Sequence, residues 1–155
     1  MHSSAPVPVV LVVDVDPDTH NLTEGAFGDA ECVLLATRSA DMALKLAERR
    51  PPTVLVVGEK IGGLAYLGER LRRLTPHLHI ILLASAERAM DAVSHPQAGV
   101  GTVLTKPVDA LRFRTAVRTV LRLSAMSAGV DRMHRAGSSP EIPAAQPAQR
   151  GKGEK

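Results

Sequence analysis

Several apolar, strand-length runs end on residues that could do chemistry together. The run PVPVVLVVDVDPD drives into Asp14 and Asp16, and VGTVLTKPV ends on Lys106-Pro107. Between them TVLVV stops at Gly58-Glu59, and HIILLA is followed by Ser85. In a parallel sheet these ends lie side by side, at the edge where open α/β sheets place their sites. Carboxylates, a hydroxyl and an ammonium gathered there could hold a cation or balance an anion. The middle end, however, has no carboxylate: Gly58 offers no side chain to serve as nucleophile or ligand.

Five runs must position these residues: Val7–Val13, Glu31–Ala36, Thr53–Val57, His79–Ala84 and Thr102–Leu104. Each is followed by a segment with helical periodicity. Pro17 suits the first turn of the first helix, and Ser39 is placed to cap the second, DMALKLAERR, which Pro51-Pro52 ends. Met42, Ala43, Leu44, Leu46 and Ala47 are expected to form its apolar side. Leu64, Leu67, Leu71 and Leu74 stack in the third helix, and the fourth follows Ser85. The fifth is expected to start at Pro107, with Phe113, Ala116, Val117, Val120 and Leu121 as its buried stripe. Alternating strands and helices with short connections imply parallel strands joined by right-handed crossovers in a three-layer α/β sandwich. The near-continuous apolar strands fit a sheet covered on both faces. The expected division is one domain over 7–123 and a largely disordered tail over 124–155, where Gly, Ser, Pro, Ala and Gln dominate.

The chain has 155 residues, enough for one domain with a real core, and only 2% are aromatic, so Val, Leu, Ile and Ala must fill it. Most of the net +3 charge lies beyond residue 130, leaving the domain nearly neutral. With few aromatics for stacking, nucleic acid is not an expected partner. Cys32 is alone, so no intrachain disulfide can form, and it reads as a buried thiol in a reducing compartment. No run approaches a membrane span, and MHSSAPVPVV has no basic leader, so a cytoplasmic location is expected.

The acidic turn after the first strand, the hydroxyl after the fourth, Lys-Pro after the fifth and the five-fold βα rhythm resemble the receiver domain of two-component response regulators, over roughly residues 7–123. The resemblance implies a flavodoxin-like (βα)5 fold with strand order 2-1-3-4-5. It implies also an aspartate ending the third strand that accepts a phosphoryl group, with Mg²⁺ held by that aspartate and acids after the first strand. Asp14 matches the first acid, Val15 falls where the second would be, and Gly58 falls on the acceptor. EKIGG stands in place of a longer loop, Ser85 matches the switch hydroxyl, Lys106 and Pro107 match the Lys-Pro pair, and Val103 replaces the switch aromatic. The expected protein is therefore a degenerate, stand-alone receiver in phosphorelay signalling. It works by protein contact with a histidine kinase or a downstream effector, without a cofactor, without Mg²⁺ and without enzymatic activity.

Other readings stay open. Asp14 and Asp16 could form a weak cation site with water filling the gap, or simply cap, together with Asp18, the helix beginning at Pro17; either could also be an unconventional phosphoryl acceptor. The room left at Gly58 and Val15 could admit a small anion or nucleotide held by Ser85 and Lys106. Glu59 could approach Lys106 as a built-in anion imitating a phosphorylated state, or stand in solvent. Lys106 could balance Asp14, Asp16 or Glu59, with a cis bond on either side of it. Arg114, Arg118 and Arg122 form a stripe that could be a solvated face, or a docking or homodimer surface. His77 and His79 lack further ligands at metal spacing. Gly62-Gly63 is not a phosphate-binding loop, because the Lys-Ser/Thr that would complete it is absent.

Overall fold

Residues whose side chains are apolar on both sides of the backbone make strands that need cover on both faces, and the central strands satisfy this completely. In a computed structural model, which describes residues 7–28, 31–94 and 99–137, β1 (Val9–Val13) and β3 (Val54–Gly58) are buried along their whole length. β2 (Val33–Thr37), β4 (His79–Ala84) and β5 (Val100–Thr105) complete a parallel sheet in the order β2-β1-β3-β4-β5. Alternate residues feed two cores. Leu11, Val13, Leu55 and Val57 pack with Ala43 and Ala47 of α2 (Ala40–Arg49), Leu67 and Leu71 of α3 (Leu64–Leu74) and Ala89 of α4 (Ala86–Ser94). Val10, Val12, Val54 and Val56 pack with Phe113, Val117 and Val120 of α5 (Ala110–Gly137), and Leu22 of α1 (Pro17–Thr23) rests against that core. The three-layer α/β sandwich expected from the runs, with the flavodoxin-like strand order that the resemblance implies, is therefore the observed fold.

Local signals explain the helix starts. Pro17 opens α1 behind Asp16, whose carboxylate accepts the Asp18 N–H at 2.9 Å. Ser39 caps α2, its Oγ accepting the Met42 N–H at 3.2 Å. The last helix begins at Ala110 and not at Pro107, because Asp109 Oδ1 accepts the Arg112 N–H at 2.8 Å and forms the cap. Met42, expected on the apolar side of α2, and Leu74, expected in the leucine stack of α3, are exposed, since Ala43, Ala47, Leu67 and Leu71 already fill the sheet-facing side.

The chain divides after Leu121 into two units, and the second, as far as it is described, is the distal part of α5. The helix runs to Gly137, so residues 124–137 of the expected tail continue α5. Ala, Leu, Met and Arg favour helix, and an existing helix is extended far more cheaply than a new one is begun. The expectation for residues 138–155 lies outside the described residues. Among the described residues no helix is long and apolar enough to cross a membrane.

Candidate functional site

Register brings the chemical residues together. Val13 pairs with Val57, which sets Asp14 beside Gly58 at the carboxyl ends of β1 and β3. Leu83 pairs with Leu104 and Ala84 with Thr105, so Ser85 and Lys106 follow at the next ends, with the Lys106 N–H donating to Ala84 O at 2.7 Å. The Lys106-Pro107 bond is cis.

Asp14 is the centre of the site and is 1% exposed. A buried carboxylate must have its lone pairs satisfied. Its Oδ2 accepts from the Thr19 hydroxyl at 2.7 Å and meets Lys106 Nζ at 3.0 Å, while Oδ1 accepts the Asp16 N–H at 3.2 Å. His20 Nε2 donates to the Asp14 carbonyl oxygen at 2.7 Å, fixing the backbone at the same point. Lys106 Nζ also donates to Asp16 Oδ2 at 3.1 Å, so one ammonium bridges both carboxylates. The Asp18 N–H, and then Lys106, hold the Asp16 carboxyl below its usual range. Burial pulls the Lys106 ammonium down, but the hydrogen bonds to Asp14 and Asp16 outweigh it and leave its pKa raised.

The place a side chain on Gly58 would take is not open, although Gly58 and Glu59 also line a depression of about 370 Å³ on the side of α3 and α4. A β-carbon built on Gly58 would overlap Asp14 Oδ1 and Cγ and lie 2.7 Å from Oδ2. The glycine and the buried carboxylate interlock: Asp14 can lie against β3 because position 58 has no side chain. The volume freed by Gly58 on the Lys106 side therefore holds Asp14, and Val15 faces solvent.

Glu59 takes neither of the two places left open for it, beside Lys106 or free in solvent. Its Oε1 accepts the Ser85 N–H at 2.6 Å, and its own N–H donates to Leu83 O at 2.9 Å; Lys106 is taken by the two aspartates. The Ser85 hydroxyl accepts the Arg88 N–H at a long 3.4 Å, at the start of α4. Gly63, at φ +73°, turns the chain into α3, the left-handed conformation a glycine adopts without strain.

The arginine stripe is not a set of equivalent cations. Arg118 grips Glu31 through Nε at 2.6 Å and Nη2 at 3.2 Å and lies over the Phe27 ring, while Arg114 is half-buried and Arg122 exposed. Burial, and then Glu31, push the Cys32 thiol up to about 11, so it is a core thiol and not a nucleophile. Burial, and then His77, lower the His79 imidazole at the start of β4. Among the described residues no three His, Cys, Asp or Glu side chains are grouped to hold a metal. Thr19 and His20 were not singled out from the sequence; a hydroxyl five residues after Asp14, on the helix that Asp16 caps, was the available signal.

Residues 10–118 match the family model of the response regulator receiver domain, and the chain belongs to that family. It is 35% identical over 109 residues to an uncharacterized 14.6 kDa protein of Leptolyngbya boryana, covering 67% of this chain and 82% of that one. It is 29% identical over 115 residues to the response regulator protein PilR of Pseudomonas aeruginosa, covering 73% of this chain but 26% of PilR. Among solved structures, NtrX from Brucella abortus in complex with ATP superposes with a TM-score of 0.71 at 23% identity, over 83% of this chain and 29% of NtrX. The signal receiver domain of an HD domain-containing protein from Pseudomonas fluorescens superposes with a TM-score of 0.68 at 19% identity, over 83% and 97% of the two chains. The fold is therefore that of a receiver in two-component signalling. The Mg²⁺ that the family resemblance implies does not fit these residues as arranged. Asp14 and Asp16 both face an ammonium about 3 Å away, and Gly58 supplies no third carboxylate.

Proposed function

We propose that this receiver works as a protein-contact module whose conformation is set by internal charges, without conventional aspartyl phosphorylation and without catalysis of its own. Phosphoryl transfer to a receiver needs a carboxylate nucleophile and cations that neutralise the phosphoryl oxygens. The observation that carries the reading is the interlock of Asp14 with Gly58. The place a side chain at 58 would need is filled by a buried carboxylate that Lys106 already neutralises. Asp14 as an unconventional acceptor is disfavoured by the same contacts, because its oxygens are buried and engaged by Thr19, Asp16 and Lys106. A histidine kinase or a downstream effector is the partner class that fits a receiver. A homodimer through the last helix would have to form around the Arg118–Glu31 pair.

Intact-mass measurement after incubation with acetyl phosphate and Mg²⁺ tests this reading. The expected result is no added mass. Gain of one phosphoryl group, lost in Asp14→Asn or Asp16→Asn, would replace it with the acceptor reading.

A further inference from the structure

Residue 59 is fastened to the end of β4 twice. Its N–H donates to Leu83 O at 2.9 Å, and two residues further along the Ser85 N–H donates to its Oε1 at 2.6 Å. The turn carrying it is itself closed, with the Ile61 N–H donating to Gly58 O at 3.1 Å. The carboxylate is therefore presented by an ordered backbone, and little side-chain freedom is left to lose in making a short charge-assisted bond.

Ser85 is the residue from which α4 starts. Its carbonyl accepts the Ala89 N–H at 2.7 Å, the first hydrogen bond of that helix. Its apolar anchorage is small: Ala89 is its one buried hydrophobic residue among those described, with Ala92 partly buried against the same core, while Met90 and Val93 are 74% and 69% exposed. Between α4 and β5 lies a mainly apolar depression of about 400 Å³, lined by Ala86, Ala89, Met90, Val93, Val103 and Thr105. A helix that buries only small side chains depends on its first turn for its placement as well as on Ala89 and Ala92.

We infer that Glu59 is a positioning residue for α4: its carboxylate straps the first turn of the helix to the β3–α3 turn and so sets the shape of the α4–β5 depression. The strap deepens the reading proposed above, since it supplies from within the chain an anion that holds the end of β4 without a phosphoryl group. Glu59 touches neither Asp14 nor Lys106 in the hydrogen-bond network, so the strap and the ion cluster can be perturbed separately.

Amide hydrogen exchange on the full chain tests the inference with the wild type, Glu59→Ala and Glu59→Gln. Hydrogen bonds to a charged group are worth enough that losing this one should speed exchange across residues 85–94 about tenfold or more in Glu59→Ala. The amides of β1, β3 and the first turns of α5 should stay at wild-type rates, and Glu59→Gln, which keeps an acceptor oxygen, should fall between. Wild-type exchange over residues 85–94 in Glu59→Ala overturns the inference. So does acceleration spread evenly over the sheet, which would make Glu59 a general stabiliser. Acetyl phosphate labelling of the same samples separates the two proposals: a phosphoryl gain sinks the proposed function, whereas unchanged α4 exchange sinks only the strap.

Discussion

Gly58→Ala should destabilise this protein, against the ordinary expectation for such a change. Gly58 is not among the glycines with positive φ, so its backbone suits alanine. A compatible Gly→Ala substitution usually gains about 0.4–1 kcal/mol by restricting the unfolded chain. Here the new methyl group would land on the Asp14 carboxylate, 2.7 Å from Oδ2 and nearer still to Oδ1 and Cγ. The carboxylate is buried and held by Thr19, Asp16 and Lys106, so it cannot step aside without breaking those contacts. Overpacking alone costs about 1–3 kcal/mol, and breaking a buried ion pair costs about 3–5 kcal/mol. A net loss of about 2–4 kcal/mol follows if Asp14 shifts but keeps part of its network. In urea, with a slope of about 1–3 kcal/mol/M, the midpoint should fall by about 1–2 M with the slope unchanged. Asp14→Ala removes the obstruction, so the double variant should be less destabilised than the two single losses added together. A neutral or stabilised Gly58→Ala, or strict additivity in the cycle, would refute the interlock.

Lys106→Met should lower stability by about 3 kcal/mol, read from the same urea curves, because it strands the buried Asp14 carboxylate; the partial exposure of Lys106 keeps the loss at the lower end of the range for broken buried pairs. Stability should also fall on acidification. The folded pKa of Asp16 lies below its ordinary value of 3.8, so its contribution is fully present above that value and is lost as pH falls through it toward the folded pKa. Asp16→Asn should flatten that part of the stability profile, and an unchanged acid limb would contradict the assigned hydrogen bonds.

Much of the fold was legible because local and global signals agree. Apolar strands of the right length, Pro17 and Ser39 at helix starts, and Pro51-Pro52 at a helix end all point to the same βα order that the sheet adopts. Periodicity overstated burial at Met42 and Leu74, since an apolar stripe on a helix can be wider than the strip that the sheet covers. It also missed the start of α5, where the cap at Asp109 competes with the proline signal two residues earlier. The residues of the site were nameable, but their pairing was not. That Lys106 bridges both aspartates while Glu59 turns to Ser85 depends on side-chain directions at four strand ends. The Gly58–Asp14 interlock depends on the register of β1 against β3, which no spacing along one strand reveals.

The interlock also constrains how this sequence can change over evolutionary time. Any side chain introduced at position 58 meets a carboxylate that has settled into its place, and loss of Asp14 alone leaves Lys106 with only the more exposed Asp16 as a partner. Each single step away from the present pair passes through a less stable protein. The glycine is thereby held by the aspartate it accommodates, and the two positions are epistatically coupled: a side chain at the end of β3 can be introduced without loss only together with a change at Asp14.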